Sequence, residues 1–104
     1  MNVRVLIVDD QPPFRIAARL VVEATDWFDV VGEAETGEAS VAMGGHVEPD
    51  VVLMDVNLPG MNGLEATRRI VDERPETVVL VLSTYEESEY DVRAVEAGAA
   101  AFIP

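Results

Sequence analysis

The stretch Asp50-Val51-Val52-Leu53-Met54-Asp55-Val56-Asn57-Leu58-Pro59-Gly60-Met61-Asn62-Gly63 decides how the rest of the chain is read. Val51 to Met54 is an unbroken apolar run, as expected of a strand covered on both faces in the middle of a parallel sheet. The run stops on a carboxylate, Asp55, and a turn rich in proline and glycine follows. Open α/β sheets place their ligands beyond the carboxyl ends of the strands. A charge is expensive inside a core, so an Asp closing a buried strand is expected to point into a site.

On either side of this stretch, strands and helices alternate. Val3 to Val8 is a short β-branched run ending at Asp9-Asp10. Pro12 and Pro13 suit the first turn of a helix, and Phe14, Ala17, Ala18 and Val21 share one face of it at helical spacing. Residues 28–33 read as a second strand, with Trp27 packing at its entrance. A helix over 38–47 contains Gly44-Gly45, which costs about 2 kcal/mol relative to two alanines, so it is expected to be short or frayed. The third strand spans 50–55, after Pro49.

Gly63 to Glu73 is a helix with Leu64, Thr67 and Val71 on one face and Ala66 and Ile70 beside them; Pro75 ends it. Residues 77–82 form a fourth strand, 87–97 a helix stopped by Gly98, and 100–103 a fifth strand. Such alternation predicts a doubly wound α/β fold with a parallel sheet. If strands one, three and four are neighbours, Asp9, Asp10, Asp55 and Ser83 meet at one edge. Carboxylates so clustered raise one another's pKa unless a cation sits among them. An oxygen-only set with few protein ligands favours Mg²⁺ over Ca²⁺.

Composition narrows the function classes. The 104 residues, 49% of them apolar, suffice for one small domain. There is no cysteine, hence no disulfide frame and no thiol chemistry. No apolar run approaches the roughly 20 residues of a membrane span, and the start lacks the build of a signal peptide. The expected location is cytoplasmic. Twenty acidic residues against seven basic ones give a net charge of -13, and all seven bases are arginine. Such a surface repels phosphate backbones, so no direct nucleic-acid binding by this chain is expected. His46 and the pair Arg68-Arg69 read as solvated surface.

Four fragments in order carry a resemblance: Asp9-Asp10, Asp55 to Gly63, Ser83-Thr84, and Gly98-Ala99-Ala100-Ala101-Phe102. Together they resemble the receiver domain of bacterial two-component response regulators, over the whole chain, 1–104. Asp55 to Ala66 is most similar to the subfamily whose receivers precede a LuxR-type helix-turn-helix DNA-binding domain. The resemblance implies a flavodoxin-like five-stranded sheet of order 2-1-3-4-5. It also implies that Asp55 is the phosphoacceptor, taking a phosphoryl group from a sensor histidine kinase. Asp10 and Asp55, the backbone carbonyl of Asn57, and Asp9 through water would hold Mg²⁺. Ser83 would be the switching hydroxyl, with Thr84 beside it, and Phe102 the aromatic switch. The expected chemistry is self-phosphorylation and self-dephosphorylation, not turnover of a free substrate.

Two departures from the family pattern stand out. Gln11 occupies a position where relatives often carry an acid or a histidine. The lysine due two residues beyond Phe102 and Ile103 is absent, as is the fifth helix. The chain therefore reads as a shortened piece of a longer regulator that hides its bare face by self-association, for example as a homodimer. A receiver-like dimerisation or interaction module independent of phosphorylation is the alternative. A Mg²⁺-dependent phosphotransfer enzyme with an aspartyl nucleophile is disfavoured, because it would carry a second acid where Asn57 stands.

Overall fold

The computed structural model describes residues 2–82, 98–99 and 101–103, the last three for their backbone. Its elements are β1 (Val3–Val8), α1 (Pro12–Glu23), β2 (Phe28–Ala34), α2 (Gly37–Val47), β3 (Val51–Asp55), α3 (Gly63–Glu73), β4 (Val78–Leu82) and β5 (Ala101–Ile103). The expected helix over 87–97 and the switch hydroxyls of Ser83 and Thr84 lie outside the described residues. All strand pairs are parallel, in the order β2-β1-β3-β4-β5. This is the doubly wound, flavodoxin-like arrangement expected from the sequence.

Register sets what meets at the carboxyl edge. Val8 lies between Ala34 of β2 and Met54 of β3, and Asp55 lies opposite Leu82 of β4. The pairing runs past the strand ends, since the Asp9 N–H donates to the Ala34 carbonyl and the Val56 N–H to that of Leu82. Asp9-Asp10 and Asp55 therefore leave two adjacent strands at nearly the same height.

One face of the sheet is closed by α2 and α3. Leu6, Val8, Val52, Met54, Val79 and Val81 are buried there against Leu64, Ala66 and Ile70. Thr67 is buried as well, its hydroxyl donating to the Gly63 carbonyl. The α3 face predicted from the sequence is thus the packed one. On the opposite face Val5 and Ile7 pack against Val22 and Ala18 of α1, with Val51 and Leu53 only partly buried. The expectation that β3 is covered on both faces holds fully for one of them. Among the described residues, only α1 lies on the other face, and its contacts are with β1 and β2.

Three expectations need correction. The predicted inward face of α1 turns largely to solvent: Phe14 is 50% exposed and Val21 68%. Arg15, Ala18, Arg19 and Val22 point inward instead: Ala18 and Val22 pack on Val5 and Ile7, and the two arginines pair with Glu33 near the end of β2. Trp27, expected to pack, is 71% exposed, with a positive φ of 74°.

The Gly44-Gly45 helix is neither short nor frayed, since α2 runs unbroken to Val47. The Thr36 hydroxyl caps it by accepting from the Ala39 N–H at 3.0 Å, and Gly44 is buried on the side facing α3. Capping and burial offset the poor propensity of two glycines. A Cβ at Gly45 would meet nothing within 4 Å. Gly45→Ala is therefore expected to raise stability by about 1 kcal/mol, measurable as an upward shift of the denaturant midpoint.

Candidate functional site

The site is built by two strand ends and the loops that leave them. Asp9 and Asp10 follow β1 and Asp55 closes β3, the central pair of the sheet. Their carboxylates each offer one oxygen within 4.8 Å of the others, and all three residues are half-buried. The convergence expected from the sequence is therefore present for all three acids.

Local structure fixes each one. Asp9 Oδ1 accepts from the Gln11 N–H at 2.9 Å, which shapes the turn before the prolines of α1. Asp55 Oδ1 accepts from the Asn57 N–H at 3.2 Å, so Asn57 follows directly beside the carboxylate. Val56 and Leu58 are buried and anchor the loop, and Asn62 caps α3 by accepting from the Leu64 and Glu65 N–H groups. The N-cap of α3 is therefore Asn62, which leaves the Asp55 carboxylate to the rim. Phe102 is in β5, its backbone paired with Val81.

Electrostatically the cluster is strained. Burial pushes the Asp55 carboxyl up to about 6, and the charges of Asp9 and Asp10 push the same way, against the Asn57 N–H. Asp9 is also raised, mainly by burial. Asp10 Oδ1 is buried without a hydrogen-bond partner. A buried acceptor so left costs about 1–3 kcal/mol, and a hard cation among the three carboxylates would satisfy it. The donor set is all oxygen, which fits Mg²⁺ chemistry.

The sign of the resulting pH dependence follows from linkage. A carboxyl raised above its ordinary value of 3.8 holds its proton more tightly when folded. Its favourable contribution is complete below about pH 4 and is lost as pH rises through about 6. At neutral pH the ionised Asp55 therefore destabilises the metal-free fold, by an amount that solvent at this half-exposed site reduces to about 1 kcal/mol. In EDTA, Asp55→Asn is expected to melt higher than wild type at pH 7.5. The gap should narrow as pH falls to 5; a pH-independent gap would contradict the shift.

Sequence reasoning missed Arg15. Its guanidinium, only 13% exposed, donates from Nη1 to the Asp9 carbonyl at 2.7 Å and pairs with Glu35 at 3.2 Å. The signal was present: Arg15 and Arg19 stand four apart in a helix whose other residues, Glu23 apart, are apolar, with Glu33 and Glu35 ahead.

A profile of the response regulator receiver domain matches residues 5–104. The chain belongs to the response regulator receiver domain family. This receiver is 40% identical over 101 residues to the response regulator GacA of Pseudomonas viridiflava, covering 97% of this chain and 47% of GacA. It is 38% identical over 100 residues to the transcriptional regulatory protein YdfI of Bacillus subtilis, covering 96% and 46%. It thus spans about half the length of these curated relatives. Among solved structures, it superposes on the receiver domain of NarL from Mycobacterium tuberculosis with a TM-score of 0.93 and 33% identity, covering 98% of this chain and 82% of that one. A LuxR-family response regulator from Aurantimonas sp. gives a TM-score of 0.93 at 32% identity, covering 98% and 73%. No helix among the receiver's described residues is long and apolar enough to cross a membrane.

Proposed function

We propose that this receiver accepts a phosphoryl group on Asp55 from the phosphohistidine of a sensor histidine kinase and so switches an attached output, transcription regulation. The observation that carries the reading is the meeting of Asp9, Asp10 and Asp55 at one rim, each offering an oxygen within 4.8 Å of the others. An Asp55 oxygen attacks phosphorus, an O–P bond forms, the N–P bond to the imidazole breaks, and the imidazole leaves with the electron pair. The reaction needs positioning and charge neutralisation more than proton transfer. Asp9, Asp10, Asp55 and the Asn57 carbonyl would hold Mg²⁺, which when bound neutralises charge on the phosphoryl oxygens. Burial of Val56 and Leu58 holds the loop, and the Asn57 N–H keeps the second Asp55 oxygen turned aside. The chain turns over no free substrate in this reading.

Incubation of the receiver with acetyl phosphate and Mg²⁺, followed by intact-mass measurement, tests the proposal. One added phosphoryl group that disappears with EDTA is the expected result. Absence of any adduct would point instead to an interaction module that works without phosphorylation.

A further inference from the structure

The two loops that bring the carboxylates together are both braced by the turn between β2 and α2. Arg15 ties the Asp9 carbonyl to Glu35 at the start of that turn. Glu38, in the first turn of α2, reaches the other loop: its Oε1 accepts from the Met61 N–H at 3.1 Å. Its Oε2 sits 2.8 Å from where a Cβ would project at Gly60, whose φ is +71°. One residue earlier, a Cβ at Gly37 would overlap the Met61 carbonyl oxygen. The N-terminus of α2 thus presses directly on the tip of the segment that follows Asp55.

We propose that Glu38 is a positioning residue for the phosphoacceptor site, its carboxylate fixing the Gly60–Met61 tip and through it the placement of Asn57 and Asp55. This inference rests on the reading of Asp55 as phosphoacceptor. The loop is anchored at its start by the Val56 N–H to the Leu82 carbonyl and at its end by the Asn62 cap. Between them, the Met61 N–H reaches across to Glu38, 23 residues away in sequence. Without that acceptor the tip is free to sample other conformations, and each conformer that moves the Asn57 carbonyl is unproductive. Holding reacting groups in one geometry is what a phosphoryl-transfer site needs from its protein.

A purely structural role is the competing account, because an acid in the first turn also favours the helix dipole of α2. The two differ in what the side chain must supply: an acceptor for Met61, or a charge. Glu38→Gln keeps the acceptor and removes the charge; Glu38→Ala removes both. Mg²⁺ affinity by calorimetry and the rate of adduct formation from acetyl phosphate are measured for the three proteins, alongside thermal melts. Glu38→Ala is expected to weaken Mg²⁺ binding and slow adduct formation about fivefold, the size of one net hydrogen bond. Glu38→Gln should stay within about twofold of wild type, even though its melting point falls with that of Glu38→Ala. An active wild type with an unchanged Glu38→Ala, or a Glu38→Gln as impaired as Glu38→Ala, overturns the role of Glu38 alone. A wild type inert toward both Mg²⁺ and acetyl phosphate overturns the Asp55 reading and this inference with it.

Discussion

Asp55→Asn is expected to leave the receiver folded and unable to take up a phosphoryl group. The amide keeps the shape of the side chain and can still accept from the Asn57 N–H, so the loop has no reason to move. What is lost is the nucleophile: an amide oxygen does not form an acyl phosphate. Intact mass after exposure to acetyl phosphate and Mg²⁺ should show no adduct, while thermal melting in EDTA at pH 7.5 shows a gain. The two readouts moving in opposite directions separate loss of chemistry from loss of fold. An adduct of wild-type yield in Asp55→Asn would move the acceptor elsewhere.

Gly63→Ala is the largest structural effect anticipated. A Cβ at this position would overlap the backbone carbonyl oxygen of Asp55 and come within 2.9 Å of the Val56 Cα. Neither atom belongs to a side chain that can swing away. Relief requires α3 to withdraw from β3, breaking the hydrogen bond from the Gly63 N–H to the Val56 carbonyl at 3.0 Å. Overpacking of this kind costs about 3 kcal/mol, which in a domain of this size lowers the melting temperature by about 15 °C. Because the clash falls on Asp55 itself, phosphoryl uptake should fail even at temperatures where the variant is folded. Gly45→Ala, on the open side of α2, is the matched control and should move stability the other way. A Gly63→Ala protein with wild-type melting and wild-type adduct yield would show that α3 can retreat without disturbing the site.

The apolar side chains that escape burial follow the same logic of packing against sequence pattern. Phe14, Ile16, Leu20 and Val21 all stand exposed on α1, while two arginines occupy its inner side. Helical spacing reports where apolar residues recur; it does not report which neighbour a guanidinium will find. Glu33 and Glu35 lie at and just beyond the end of β2, beside the helix, and Arg15 and Arg19 pair with them on the side of α1 whose Ala18 and Val22 pack on the sheet.

By itself the sequence determined the order of the described elements, the parallel sheet, the packed face of α3 and the three acids at the strand ends. Those are properties of local pattern: runs of β-branched residues, prolines and glycines as breaks, and polar residues where a buried run stops. Tertiary structure alone decided the rotation of α1, the survival of the double-glycine helix and the braces from Arg15 and Glu38. Each depends on groups from different elements meeting in space, as the Met61 N–H meets Glu38 23 residues away, and the energy of such a meeting is written in no single stretch of the chain.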